Sequence, residues 1–283
     1  MRNDFAVFII SHGRAYNIIT VETLQRCGYT GKWYIIIDDE DDQKSLYVQF
    51  FGKEHIIKFN KQAVGNTFDI MDNFPGRQVP TFARNALHEI AHNLGLTYFL
   101  ELEDDYQNFR QRYLDDTGKF CTRYVRDLDS IIDACIEFLE VSGATTVAFA
   151  QTGDLIGGPD SKVFTDKISR KAMNCFFCKT DRPFQCFGRF NDDVNAYIDN
   201  GKRGMLFFTI CDIVMDQPQT QTRSGGITDS YKYFGTYVKT FYSVMLAPNC
   251  IKVSTLGISD KRIHHVIDWE HAVPKIISGD FKK

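Results

Sequence analysis

One stretch of the chain, Thr81–Tyr106, contains two motifs that belong to different chemistries. The motif HEIAH places His88 and His92 four residues apart, with Glu89 beside the first histidine. On a helix the two histidines share a face and could bind zinc, with the glutamate as the general base of a hydrolase. The segment LELEDDY instead reads as a buried strand that ends in carboxylates, which are the hard oxygen ligands of a divalent cation.

The zinc interpretation lacks supporting residues. Tyr98 stands where the longer form of the motif has a third histidine, and Gly95 leads within three residues into a buried strand. We therefore interpret HEIAH as the solvent side of an amphipathic helix, opposite Leu87, Ile90 and Leu94. A zinc hydrolase remains the alternative.

The carboxylate interpretation gains support from other strand ends. Glu103 and Asp105 alternate, which directs them to one side of a sheet, and Asp104 lies between them. The loop Ser11–Arg14 follows the apolar run FAVFII, and Asp38 with Asp39 follows KWYIII. Open α/β sheets bind ligands at the carboxyl ends of their strands, so these polar groups are expected at one site.

The apolar pattern predicts an α/β protein. The first 60 residues read β-α-β-β, with helix 15–27 between FAVFII and KWYIIID. A helix from Pro80 to Gly95, the strand TYFLELE, a helix over 128–141 and the strand TTVAFAQ follow. MNCFFCKT, PFQCFGRF and GMLFFTICDIVMD are predicted as strands of a mixed sheet, 231–245 as a helix, and RIHHVIDW as extended. We expect a single domain, 1–283.

The composition of the chain limits the classes of protein to which it can belong. The 283 residues are 43% hydrophobic and 24% charged, which suffices for a sizeable core. We expect an intracellular, cytoplasmic protein, because no leader or apolar run of about 20 residues is present. The eight cysteines are expected to be free thiols, including Cys175, Cys178 and Cys186.

Charge is unevenly distributed. Residues 1–160 carry 15 Lys and Arg against 24 Asp and Glu, a balance of −9, and residues 161–283 carry 18 against 12, a balance of +6. An acidic first half could hold a metal, and a basic second half could face a polyanion. A solvated surface of mixed sign explains the same counts equally well.

Taken in order, SHGR, IIIDDE, FARN and LELEDD resemble the GT-A glycosyltransferases, which implies a GT-A (Rossmann-like) α/β fold with a parallel-rich central mixed sheet. The resemblance implies that the first half, 1–106, binds the nucleotide sugar and that 107–283 binds the acceptor. It assigns the donor to Ser11, His12, Gly13, Arg14, Asp38, Asp39, Arg84, Asn85, Glu103 and Asp104.

The same resemblance implies a metal site and a catalytic base. Asp105 would bind Mn²⁺ or Mg²⁺, Glu103 would bind metal or ribose, and one histidine of the pair His264 and His265 would be a further ligand. In GRFNDDVNAY, Asp193 would be the base beside the acceptor, with Asp192 next to it.

More narrowly, the chain resembles the phage TET-associated glycosyltransferases, which modify hydroxymethylated pyrimidines in DNA. The residues that carry this are SHGR, ARN…EDDY, GRFNDDVNAY, TRSGGITDSY and IHHVIDW. It implies a UDP-sugar donor, such DNA as the acceptor, no membrane and no obligate protein partner. The acceptor side would include Arg189, Arg223, Gly225 and Gly226. Another acceptor (protein, glycan or lipid) and a non-catalytic binding module remain alternatives.

Overall fold

The computed structural model describes residues 1–151, 175–218, 231, 233–235, 237–256, 261–272 and 279. The strands are β1 (Phe5–Ile10), β2 (Lys32–Asp38), β3 (Ile56–Phe59), β4 (Tyr98–Glu103), β5 (Asn108–Leu114), β6 (Phe120–Tyr124), β7 (Thr146–Gln151), β8 (Phe176–Lys179), β9 (Phe207–Asp216), β10 (Ile251–Leu256) and β11 (Arg262–Ile267). The α-helices are α1 (Ile19–Arg26), α2 (Lys44–Phe51), α3 (Lys61–Gly65), α4 (Pro80–Asn93), α5 (Leu128–Ser142), α6 (Asp192–Lys202), α7 (Val238–Leu246) and α8 (Trp269–Ala272).

A nine-stranded sheet has the order β3-β2-β1-β4-β8-β7-β9-β5-β6, and β10 and β11 form a second, antiparallel pair. β1 pairs in parallel with β2 and with β4, and β2 pairs in parallel with β3. Every residue of FAVFII is buried, because parallel strands are covered on both faces. The carboxyl ends of β1, β2 and β4 therefore meet at one edge, as the sequence predicted.

The other half of the sheet is mixed. β8 runs antiparallel between β4 and β7, and β9 runs parallel to β7 with an irregularity between Phe149 and Ala150. β5 pairs antiparallel with β9 and with β6, so β6 is an edge strand. The predicted α/β class with a parallel-rich mixed sheet is confirmed.

Helices cover the two faces of the sheet with separate apolar clusters. Leu24 of α1 and Ile132 of α5 pack on one face. Leu87 of α4 and Ile198 of α6 pack on the other face, against Phe8 of β1. Because successive strand residues point to opposite faces, each strand supplies both clusters.

Several local predictions were wrong. Helix α2 follows β2, where the sequence suggested only a loop between strands; its Tyr47 is buried, but exposed Val48 and Phe50 blur the apolar periodicity that would have predicted it. PFQCFGRF is irregular, since Gly188 has a φ of +82° and the amide of Arg189 donates to the carbonyl of Ile70 instead of to a strand.

The structure confirms the predicted extent of two helices only in part. Gly95, with a φ of +67°, ends α4 as predicted, although Leu94 is 41% exposed and lies outside the apolar stripe. The helix predicted over 231–245 is interrupted: residues 231, 233 and 234 are helical, Gly235 has a φ of +81°, and α7 begins at Val238.

The eight cysteines are free, as predicted. Within the described parts of the chain, no helix is both long enough and apolar enough to cross a bilayer.

Candidate active site

An open cleft with a cavity volume of about 110 Å³ lies at the carboxyl ends of β1, β2 and β4. Its lining mixes charged groups with a few apolar ones, as expected for a ligand site. The residues that line it are Ile10, Ser11, His12, Arg14, Asp38, Phe59, Lys61, Gln78, Val79, Pro80, Phe82, Ala83, Glu103 and Asp104. Six of the sequence-predicted donor residues are among them: Ser11, His12, Arg14, Asp38, Glu103 and Asp104.

The loop after β1 is held in place by α2 and by the segment that precedes it. The amide of Gly13, whose φ is +65°, donates to Asp41 over 2.8 Å, and the amide of Arg14 donates to the hydroxyl of Tyr47 over 2.9 Å. Asp41 and Tyr47 are fully buried. The loop is therefore rigidly supported although it faces the cleft.

Asp38 contacts a histidine and a lysine in the cleft. Nδ1 of His12 lies 2.7 Å from its Oδ2, and the buried ammonium of Lys61 lies 3.2 Å from the same oxygen. Burial opposes ionisation, but the hydrogen bond and charge of His12, together with Lys61, lower the pKa of Asp38 below its ordinary value. Asp38 is thus an ionised acceptor at the cleft floor.

Asp39 points elsewhere. It accepts hydrogen bonds from the backbone amide of Lys61 and from the side chain of Asn60, each over 2.9 Å, at the start of α3. Its role in the structure is to fix the β3–α3 junction.

Asp104 is enclosed by the first loop. It is 3% exposed and accepts from Oγ of Ser11 over 2.6 Å and from Nη1 of Arg14 over 3.1 Å. Burial raises the pKa of Asp104, although Arg14 and Ser11 act in the opposite direction. The contact joins the end of β4 to the loop after β1.

Glu103 and Asp105 converge on a single donor. Nε2 of Gln217, just after β9, donates to Oε2 of Glu103 and, over 3.2 Å, to Oδ1 of Asp105. Two carboxylates that share one amide group form a donor set suited to Mg²⁺ or Mn²⁺, which is commonly held by one or two carboxylates plus phosphates. The residues therefore fit a metal that a diphosphate also ligates.

The predicted histidine ligand does not join this pair. Among the described residues, no group of three or more His, Cys, Asp and Glu side chains is placed to hold a metal. On β11 the rings of His264 and His265 contact each other, and Nδ1 of His265 lies 3.5 Å from the side-chain nitrogen of Asn191. The structure thus places His265 beside the residue that precedes α6.

Arg84 lies beneath the cleft at the centre of three carboxylates. It donates to Glu101 over 2.8 Å, to Glu103 over 2.9 Å and to Asp192 over 2.6 Å, and it is only 6% exposed. All of these contacts are internal, so Arg84 is a positioning residue instead of the nucleotide contact that the sequence suggested. The neighbouring Asn85 likewise bonds the backbone of Cys186.

The cluster around Arg84 has more negative than positive charge. Burial, opposed by Arg84 and reinforced by Glu103 and Asp192, raises the pKa of Glu101 to about 7. Burial also raises the pKa of Asp192, which Arg84 opposes and Asp193 reinforces. A single buried arginine stabilises three carboxylates only partly, and one of them holds a proton more readily.

Asp192 and Asp193 open α6. Asn191, with a φ of +54°, precedes the helix, and acids in a first turn interact favourably with the helix dipole. Asp192 is buried against Arg84, whereas Asp193 is half-buried. Of the two predicted acids, Asp193 is the more accessible.

The two histidines of HEIAH lie in different surroundings. His88 packs edge-on against Phe99 and Phe184, with its Nδ1 3.4 Å from the carbonyl of Thr180, and burial lowers its pKa to about 4. His92 is exposed. The prediction of a solvent-facing pair is therefore wrong for His88 and correct for His92.

Of the residues predicted to bind the acceptor, one is buried and three lie outside the described residues. Arg189 is 1% exposed and donates to Asp72 over 2.7 Å and to the carbonyl of Phe74 over 2.9 Å, so it braces the interior and is not available to an acceptor. The predicted residues Arg223, Gly225 and Gly226 lie outside the described residues.

The model of the TET-Associated Glycosyltransferase family matches residues 5–226. The chain belongs to this family. It is therefore a glycosyltransferase. A comparison with curated proteins finds no significant match.

Two solved structures similar to this TET-associated glycosyltransferase share 9% sequence identity with it. Glucosyl-3-phosphoglycerate synthase from Mycobacterium tuberculosis, crystallised with Mn²⁺, UDP and phosphoglyceric acid, aligns with a TM-score of 0.47 over 93% of this chain and 86% of its own. Residues 1–349 of S. aureus TarS align with a TM-score of 0.48 over 87% and 66%. Similarity this distant does not bear on what the present chain binds.

Sequence reasoning missed several residues that shape the site, among them Asp41, Tyr47, Lys61, Glu101 and Gln217. Lys61 follows the third strand by two positions, so the strand-end rule that selected Asp38 also pointed to it. Glu101 alternates with Glu103 in the glycosyltransferase's β4, which places both on one face. No comparable local signal marks Tyr47, whose contact partners lie more than 30 residues away.

Proposed function

We propose that this TET-associated glycosyltransferase moves a sugar from a UDP-sugar to the hydroxyl of a 5-hydroxymethylpyrimidine in DNA, with Mn²⁺ or Mg²⁺ at Glu103 and Asp105. The observation that carries the proposal is the family match over residues 5–226, and the convergence of Glu103 and Asp105 on Gln217 at the cleft supports it. The acceptor is the one that the family resemblance implies.

The first half, residues 1–106, would hold the donor. The ionised Asp38 would accept hydrogen bonds from the nucleoside beside His12, and Phe59 and Phe82 supply the apolar part of the same cleft. Lys61 would keep Asp38 charged. Asp39 and Asn85 would act by shaping the surrounding loops.

Glu103 and Asp105 would orient the donor diphosphate through a shared cation, which supplies charge stabilisation for the departing diphosphate. Arg84 would keep Glu103 in that position from below. Asp104 would hold the first loop against the same strand end.

Residues 107–283 would hold the acceptor, with Asp193 as the base. In the transfer, the bond between the sugar and the diphosphate oxygen breaks, a bond from the acceptor oxygen to the sugar forms, and Asp193 takes the hydroxyl proton. Asp192 would fix the start of α6 through Arg84, so that its neighbour meets the acceptor. A base inside duplex DNA would have to be turned out of the helix first.

A ligand screen tests the donor side. UDP and UDP-sugars should raise the melting temperature together with Mn²⁺ by more than either alone, because a ligand that binds only the folded chain stabilises it. At 100 times its Kd, such a ligand contributes about 2.7 kcal/mol. ADP and GDP sugars are the matched controls.

Asp38→Asn should weaken the response to UDP with Mn²⁺, since the replacement removes the charge that His12 and Lys61 face. Asp116→Asn, an exposed acid at the β5–β6 turn, should leave it unchanged. An equal response to all nucleotides, or none to UDP with metal, would count against the proposed donor.

A further inference from the structure

The β5–β6 hairpin bears a groove that the proposed reaction does not use. The groove has a volume of about 100 Å³ and is lined by Arg26, Cys27, Asn108, Tyr124, Val125 and Arg126. Two arginines from different elements meet there, one at the end of α1 and one just after β6. Tyr124 beside them is 57% exposed.

The cations of this surface have no carboxylate partners within the described residues. Arg26, Arg123, Arg126 and Lys119 are all exposed, and none of them takes part in an ion pair with a described acid. Arg123 instead donates to the side-chain oxygen of Gln111. We call these four residues, together with Tyr124, the hairpin surface.

Three acids lie beside these cations: Asp115 and Asp116 in the β5–β6 turn, and Asp127. The carboxylate of Asp115 accepts from the backbone amides of Thr117 and Lys119. Asp127 follows Arg126 directly, but its carboxylate accepts from the amide and hydroxyl of Ser130 and caps α5. Four cations against these three acids leave the hairpin surface with a small excess of positive charge, within residues 1–160, whose overall balance is −9. A concentration of cations against that background favours a polyanionic partner.

The groove is tied to the candidate active site by a row of hydrogen bonds along α1. Thr20 donates to the carbonyl of Glu103, Thr23 donates to that of Gln107 over 3.1 Å, and Arg26 reaches Gln107 and Asn108. Asn108 is three residues beyond Asp105, which spans at most about 10 Å. A strand lying in the groove would therefore pass close to the metal-binding carboxylates.

We propose that the hairpin surface binds the sugar–phosphate backbone of the acceptor DNA beside the modified base. The choice of DNA rests on the proposed function, and the choice of surface rests on its charge. From Lys119 to Arg126 an extended hairpin strand covers about 23 Å. A nucleic-acid strand presents a phosphate about every 3.4 Å along its axis, so several phosphates fit this length.

Edge strands often carry charges that merely prevent one sheet from pairing with another. That role accounts for Arg123 on β6 and for Lys119 in the turn before it. It does not account for Arg26, which belongs to α1, or for a groove in which Arg26 and Arg126 converge.

The test measures binding of an unmodified 30-base-pair duplex by fluorescence anisotropy at several salt concentrations, so that it requires no sugar transfer. In Arg123→Ala/Arg126→Ala, the Kd should rise at least tenfold at low salt. The slope of log K against log salt should become shallower by about two, because each phosphate contact contributes about 0.9. Circular dichroism checks that the variant is folded.

Lys53→Ala/Lys58→Ala removes the same charge from the opposite edge, on and before β3, and is the matched control. It should leave both the Kd and the slope unchanged. Equal weakening of duplex binding in both double variants, or no weakening in the hairpin variant, would overturn the inference. So would a wild-type protein that does not bind the duplex.

The two proposals can fail separately. Duplex binding that depends on the hairpin surface, without sugar transfer to hydroxymethylated DNA, would overturn the proposed acceptor and leave the hairpin surface standing. Transfer to hydroxymethylated DNA with the same KM in wild type and hairpin variant would support the proposed acceptor and overturn the role of the hairpin surface.

Discussion

Arg84 donates from Nη1 to Oδ2 of Asp192 over 2.6 Å, and this contact joins the two halves of the site. Through Nη2 the same guanidinium holds Glu103 at the end of β4. One side chain on α4 therefore sets the positions of a candidate metal ligand and of the helix that begins with the candidate base. A planar guanidinium with five donors can do this, whereas an ammonium cannot.

Arg84→Lys should destabilise the fold, because one ammonium cannot satisfy three buried carboxylates. Breaking a buried ion pair costs about 3 to 5 kcal/mol, so a large part of the free energy of unfolding should be lost in urea titrations. Arg2→Lys alters an exposed pair with Asp4 and should change it by less than about 1 kcal/mol. Equal stabilities of the two variants would show that the carboxylate cluster does not depend on Arg84.

Asp193→Asn should lower kcat by roughly 100-fold or more, because loss of a general base removes proton acceptance from the acceptor hydroxyl. The KM values for donor and acceptor should change little. Asp192→Asn should instead lower the melting temperature, since its carboxylate is buried against Arg84. Steady-state kinetics and thermal unfolding on both variants separate these roles, and a kcat effect confined to Asp192→Asn would reverse the assignment.

Glu101 should make stability depend on pH near neutrality. Its pKa is raised to about 7 in the folded protein, so the folded state holds a proton that the unfolded state, with an ordinary value near 4.5, releases. Its contribution to stability is complete below the unfolded pKa and is lost as pH rises through about 7.

Glu101→Gln should therefore flatten the pH dependence of the unfolding free energy between pH 5 and 8. Urea titrations at both pH values, on the variant and the wild type, measure the change. An unchanged slope in Glu101→Gln would assign the effect to another group of the cluster.

Glu89→Ala should leave sugar transfer within a few-fold of wild type, because Glu89 is exposed on α4 and alanine suits a helix. His88 is packed against aromatic rings and is not paired with His92 at the surface. Metal analysis should find no stoichiometric zinc. Zinc at one equivalent, with a peptidase activity that Glu89→Ala removes, would restore the hydrolase alternative.

The sequence predicted those parts of the protein that depend on local pattern. FAVFII and KWYIIID are continuous apolar runs, and Pro80 and Gly95 mark the two ends of α4, so these elements were recognised. The carboxyl ends of parallel strands meet by geometry, and Ser11, Asp38 and Glu103 were consequently assigned to one cleft. Such inferences require no knowledge of distant contacts.

The remaining features depend on tertiary contacts. The family resemblance assigned Arg84 to the nucleotide, but its partner Asp192 lies 108 residues away in sequence. Arg189 looked like a surface cation until Asp72 and the carbonyl of Phe74 were seen to enclose it. Strands β5 and β6 were missed because Arg, Gln and Tyr side chains interrupt their apolar alternation.

The most direct test of the central claim is the product formed from a UDP-sugar and DNA that contains 5-hydroxymethylpyrimidine. Wild type and Asp105→Asn are incubated with Mn²⁺ and radiolabelled UDP-sugars, alongside unmodified DNA, protein and lipid acceptors, and the nucleosides are then analysed by mass spectrometry. We predict label on the hydroxymethylated nucleoside alone, with loss of transfer in EDTA and a decrease of roughly 100-fold in Asp105→Asn. Label in protein or lipid but never in hydroxymethylated DNA, or full transfer by Asp105→Asn in EDTA, would contradict the account.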